Sequence, residues 1–180
     1  MKHAFLLLGA VLACAVSTTT FASYADDRAE IENLSNRYMI AVDSGDLDTV
    51  MATWAADGEL VWADGVDRGK DAIRKAMAGF SQARSKSIPE GAKSWPRSRH
   101  FILNHVIDVQ GDTAKTIAYW FEITNSTPQK DVQIVYFGHY EDELVKRNGH
   151  WLFKVRKVYN ESLSNRSLFY PGLGEKAPHK

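Results

Sequence analysis

Cysteine is nearly missing: Cys14 is the only one in the 180 residues. The chain therefore has no intramolecular disulfide and no cysteine-built metal centre, and its stability rests on a packed core. Charge of one sign is missing too. Lys+Arg and Asp+Glu number 22 each, so no global basic field points to nucleic acid. The six histidines stand at 3, 100, 105, 139, 150 and 179, in neither HExxH nor HxH spacing, and no metal is expected. Phosphate-binding glycine loops and the GxSxG elbow are absent, which leaves acid–base chemistry by His, Asp, Glu and Tyr without a cofactor. There is no internal repeat and no low-complexity tract.

The longest apolar run, Ala4–Val16, follows one lysine and precedes small residues. That is the layout of a secretory signal peptide, and the run is short for a span of about 20 residues. Residues 1–22 are read as the leader, with cleavage after Ala22 or as late as Ala25. The protein is then exported, periplasmic or secreted. Two alternatives are a retained anchor helix and lipidation of Cys14 in the loose lipobox Val11-Leu12-Ala13-Cys14. Only those would tie it to a membrane.

Ile31, Leu34, Tyr38 and Ala41 recur at helical spacing, with Asp26 or Asp27 expected to cap the start and Ser44-Gly45-Asp46 to end the helix. A short second helix carries Leu47, Val50, Met51 and Trp54 on one side. Asp57-Gly58 is expected to break the chain before a small hairpin over 59–68. Helical period returns over 70–82. Residues 84–99 read as a loop rich in Arg84, Lys86, Lys93, Arg97 and Arg99, a candidate lid with Trp95 as cap and arginines for an anionic tail. Four long strands follow, joined by tight turns that include Asn148-Gly149.

The expected architecture is a single α+β domain over 26–160, with 161–180 as a tail. It is a cone-shaped, strongly curved, mainly antiparallel sheet with three N-terminal helices enclosing a pocket. His100 opens the first long strand, and simple alternation gives it one face with Ile102, Asn104 and Val106. A strand histidine on an apolar floor needs a partner, and Asp43 at the end of the first helix is the candidate. Asp43 as a plain helix-terminal residue, and His100 as hydrogen-bonded structure, are the alternatives. Trp54, Trp62, Trp120 and Phe137 are candidates for an aromatic wall or for ordinary core. Asn33, Asn125, Asn160 and Asn165 each begin a glycosylation sequon.

The stretch Tyr38–Asp48, the following Trp54-Ala-Ala-Asp57-Gly, Arg99-His100-Phe101, and Gly138–Leu144 with Gly149–Phe153 resemble the SnoaL-like group of the nuclear-transport-factor-2-like superfamily. The likeness runs from about Arg28 to Tyr159. It implies the α+β cone and, from its dehydratase members (scytalone dehydratase and bile-acid 7α-dehydratase), an Asp–His dyad at Asp43 and His100. It also implies a tyrosine at Tyr38. The chain departs from scytalone dehydratase at Val42, Trp62 and Thr124–Asn125, and from the bile-acid enzyme near Ile123 and Asn160. Glu122 and Arg156 stand close to the latter two positions, but only Arg156 shares the alternation of its counterpart.

The resemblance implies dehydration of a small hydrophobic hydroxy-carbonyl compound such as a steroid or polyketide. Isomerase or cyclase chemistry and non-catalytic ligand binding are the alternatives. Assembly as a homodimer or homotrimer is also implied, the dimer through the sheet's outer face.

Overall fold

A computed structural model describes residues 23–63, 65–86, 98–125 and 131–162. The leader with Cys14, the loop with Trp95, and the tail beyond Ser162 lie outside the described residues. Helices α1 (Tyr24–Ser44) and α2 (Leu47–Ala52) precede strands β1 (Trp54–Trp62) and β2 (Gly65–Arg68) and helix α3 (Lys70–Lys86). Strands β3 (Ser98–Gln110), β4 (Thr113–Thr124), β5 (Gln133–Arg147) and β6 (His150–Asn160) complete the domain. Among the described residues no helix is long and apolar enough to cross a membrane.

Local chemistry moved several boundaries. Ser23, not Asp26 or Asp27, caps α1: its hydroxyl accepts from the Asp26 amide while the Asp26 carboxylate accepts from the Ser23 amide. Asp27 is instead buried and accepts from Trp151 Nε1 at 2.8 Å. Helix α2 stops at Ala52 and Trp54 opens β1, where the Phe153 amide donates to the Thr53 carbonyl. The strand continues through Asp57-Gly58 by bulging, since Trp54 pairs with Phe153 but Glu59 with Val155. Gly58 is needed there, because a Cβ would sit 2.8 Å from the Trp54 ring.

The sheet order is β2-β1-β6-β5-β4-β3. Strands β3 to β6 form the expected antiparallel meander, and β1 lies parallel to β6. The sheet is therefore mixed, curved and unclosed. Asn148 and Gly149 both take positive φ (52° and 81°), the turn that an Asn-Gly pair favours. Helix α1 packs on β3 and β6, and α3 on β1 and β2. Ile31, Leu60, Ile73, Leu144, Trp54, Trp151 and Phe153 form the dry centre. Burying each such side chain contributes about 1.5–3 kcal/mol.

One ion pair sits inside this core. Arg156 donates to both oxygens of Asp142 at 2.9 and 2.8 Å, and both side chains are 1% exposed. Thr116 donates to the same carboxylate, and the guanidinium lies over the Phe153, Tyr140 and Tyr38 rings at 3.9, 4.3 and 4.5 Å. Two hydrogen bonds and three π faces replace the water that Arg156 gives up.

Strand β3 carries a bulge that alternation did not predict. Leu103 pairs with Tyr119 but Val106 with Ile117, and Asn104 has φ 51°. The inward face is Ser98, His100 and Ile102 before the bulge, then His105, Ile107 and Val109 after it. Asn104 and Val106 therefore do not share the face of His100, and Val106 is exposed.

His105 is turned inward by this shift, and its buried Nε2 has no partner among the described residues. Burial holds its pKa below the ordinary histidine value; Asp142 and Glu32 oppose the shift while Arg156 and Arg28 add to it. The unfolded chain then binds a proton near pH ~6.5 that the fold refuses. Stability is complete above that pH and falls as pH drops towards the folded value, by at most about 1.4 kcal/mol per unit. A His105→Gln variant should show a flatter acid limb than wild type in denaturant titrations between about pH 6.5 and 5. Identical limbs would assign the acid sensitivity elsewhere.

Candidate active site

The last turn of α1 places Asp43 beneath the sheet. Gly45, at φ 72°, closes the helix with amide bonds back to Ala41 and Val42. An acid here faces the negative end of the helix dipole, at a cost of about 0.3–1 kcal/mol, and Asp43 is also buried. Its partners outweigh that cost. The His100 backbone amide donates to Oδ2 at 2.8 Å, and His100 Nδ1 meets Oδ1 at 2.6 Å. A hydrogen bond to a charged group contributes about 1.5–3 kcal/mol. One carboxylate thus fixes both the backbone and the ring of His100. With Asp43 as acceptor, Nδ1 carries the hydrogen and Nε2 is the free nitrogen of the neutral ring.

Nε2 does not stand alone. Glu122 Oε2 lies 3.4 Å from it, and Arg84 reaches Glu122 Oε1 and Asp43 Oδ1 at 3.6 Å each. Asp43, His100, Glu122 and Arg84 form one polar quartet, with Asp43 and Glu122 buried and His100 and Arg84 partly so. Neither Glu122, read only as close to a family site position, nor Arg84, read only as a loop arginine, was expected beside the dyad, and two local shifts explain why. Without the Asn104 bulge the β3–β4 turn register would set His100 against Ile123; with it His100 pairs with Glu122. Helix α3 runs to Lys86, so Arg84 is helical rather than part of the loop read at 84–99.

The quartet borders a cavity of about 410 Å³, within the range that small organic ligands occupy. His100 and Glu122 supply its acid–base edge, and Leu60, Met77, Phe80, Trp120 and Val158 much of its apolar wall. Tyr38 lines it as well. Its ring meets Arg156, its hydroxyl points to Met77 Sδ at 3.9 Å, and burial raises its pKa, so it remains a protonated donor. Trp62 and Trp120 line the cavity; Trp62 Nε1 donates to Asp67, and Trp120 stacks on Tyr140.

Two expected wall residues lie elsewhere. Trp54 is fully buried behind Tyr38 and Phe153, because it opens β1 instead of facing out from α2. Phe137 is 49% exposed on the outer face, since alternation along β5 turns Gly138 and Tyr140 inward and Phe137 outward. There it joins exposed Phe101, Leu103, Ile117 and Tyr119. Gly138 is fixed by crowding, because a Cβ would sit 1.8 Å from the Tyr159 carbonyl oxygen. Among the described residues, no three His, Cys, Asp or Glu side chains converge to hold a metal ion.

A curved mixed sheet, helices over its hollow and an apolar cavity with a buried polar edge define the class: a small-ligand cup of the cystatin-like α+β type. Within that class the chain belongs to the SnoaL-like domain family, whose model matches residues 23–157. An NTF2-like protein with a cystatin-like fold from Novosphingobium aromaticivorans superposes with a TM-score of 0.63 at 22% identity, over 80% of this chain and 89% of that one. Another protein of that organism, provisionally named scytalone dehydratase, gives 0.61 at 22% identity over 83% and 95%. ActVI-ORFA from Streptomyces coelicolor gives 0.61 at 18% identity over 76% and 98%. At these identities the likeness concerns the fold. Among curated proteins none matches the sequence significantly.

Proposed function

We propose that this SnoaL-like domain is a cofactor-independent lyase that removes water from a small hydrophobic hydroxy-carbonyl compound of steroid or polyketide type. The observation that carries the reading is the double grip of Asp43 on the backbone and ring of His100 at an apolar cavity. His100 Nε2 takes the proton from the carbon beside the carbonyl, leaving its electron pair as an enolate. That pair then forms the carbon–carbon double bond as the β carbon–oxygen bond breaks. The departing hydroxide recovers the proton from His100 and leaves as water. Tyr38 donates to the developing enolate, and Asp43 with Glu122 offsets the charge on the imidazolium. Product mass is the test: purified protein with hydroxy-ketones should yield the conjugated enone, lighter by one water. A product of unchanged mass would make it an isomerase, and tight binding without turnover a ligand carrier.

Export fits the same reading, and the α1 cap favours one cleavage site. Cutting after Ala25 would remove Ser23 and Tyr24, and with them the capping box and the Tyr24 hydroxyl bond to the Ile107 carbonyl. Cutting after Ala22 keeps both. N-terminal sequencing of exported protein should therefore read Ser-Tyr-Ala-Asp, and a start at Asp26 would contradict this.

A second copy of the chain is the proposed cover for the outer face around Phe101, Tyr119 and Phe137. Sedimentation should show a dimer for wild type and a monomer for Phe101→Glu/Phe137→Glu. A monomeric wild type would leave that face to another occupant.

A further inference from the structure

We propose a second binding site, for an organic oxyanion with a compact apolar group, in the cleft between α1 and the β5–β6 hairpin. The cleft encloses about 490 Å³ and shares no residue with the cavity of His100. Tyr38, Met39 and Val42 of α1 line the first cavity, whereas Glu30, Leu34 and Arg37 line this one. Its floor is apolar: Leu34 and Trp151 are buried there.

Charge gives the cleft its preference. Arg28, Arg68, Arg74, Arg84 and Arg156 each stand within 4 Å of a carboxylate. Arg37 and Arg147, which both line this cleft, have no such partner among the described residues. The acid Asp57 acts on Arg147 only at a distance and is bonded to Lys154 at 2.6 Å. The one acid in the cleft, Glu30, is engaged by the Trp151 amide at 3.2 Å and His150 Nδ1 at 3.5 Å. Two exposed arginines lining a cleft with an apolar floor match a carboxylate or a phosphate monoester joined to a ring or short chain. The Asn148-Gly149 turn fixes the hairpin that carries Arg147, which ties one of the two cations to a rigid element.

Titration of the full chain with benzoate, phenyl phosphate, inorganic phosphate and benzyl alcohol, followed by amide chemical shifts, tests the proposal. Benzoate or phenyl phosphate should perturb Arg37, Arg147, His150 and Trp151, with the stronger of the two naming the head group. Arg37→Gln and Arg147→Gln should each weaken binding at least about tenfold, and added salt should weaken it further. Equal binding of benzyl alcohol would overturn the charge argument, and equal binding of inorganic phosphate the apolar one. Perturbations confined to His100 and Trp120, or no binding of any probe, would overturn the site itself. These readouts do not depend on turnover, so they stand or fall apart from the lyase reading.

Discussion

Replacing His100 by Gln should lower kcat for hydroxy-ketone dehydration by about 10²–10⁴-fold, the usual contribution of a positioned general base. Glutamine keeps the backbone amide that Asp43 holds, so the fold should survive, which circular dichroism would check. Asp43→Asn should cost a comparable factor, because the amide can offer its nitrogen to Nδ1 and so favour the wrong tautomer. The pair acts as a unit: the double variant should be no slower than His100→Gln alone. Single variants with wild-type turnover would sink the mechanism, and multiplicative losses would mean that the two residues act separately. Glu122→Gln gives a finer test, since a group that supports the imidazolium should affect kcat far more than KM.

Arg156→Met should be the most destabilising of the single changes considered. It leaves the Asp142 carboxylate buried with only Thr116 as a remaining partner, and breaking a buried pair in this way costs about 3–5 kcal/mol. For a domain of this size each kcal/mol lowers Tm by roughly 2–4 °C, so a fall of about 6–20 °C is expected. Removing both charges with Asp142→Leu/Arg156→Met should recover much of the loss, since neither partner is left unpaired. Calorimetry of the three proteins decides the matter. A double variant no more stable than the single would show that the rings of Tyr38, Tyr140 and Phe153 depend on the guanidinium itself.

The sequence revealed the fold through long-period signals. Helical spacing at Ile31, Leu34 and Tyr38, the turns at Gln110–Asp112 and Asn148-Gly149, and strand-length alternation were enough for the helices and the meander. What it hid was local phase. Trp54 looked helical because its spacing from Met51 suited a helix, yet Thr53 ended α2 and committed Trp54 to the core. Phe137 looked like pocket because it is aromatic, although its neighbours Tyr136 and Gly138 decide which way it points. The parallel pairing of β1 with β6 had no local mark, since it depends on how the whole sheet curls. Asp43 and His100 could be named because each is a polar residue at the end of an apolar pattern and the family resemblance joins them. Glu122 and Arg84 needed a bulge and an extra helical turn, neither of which has a strong sequence signal.

That bulge has a consequence for how such sites change. A strand is read in steps of two, and Asn104 works as a frameshift in that reading: residues before it belong to one frame and residues after it to the other. Substitution edits a letter, but gain of one residue near Asn104, with the bulge still absorbing only one, edits the frame. It would set isoleucine 123 opposite His100 in place of Glu122 while leaving the composition of the strand almost untouched. A cup of this kind can exchange the charged neighbour of its histidine through a single-residue insertion, whereas a single-residue deletion at the bulge would leave His100 facing Glu122.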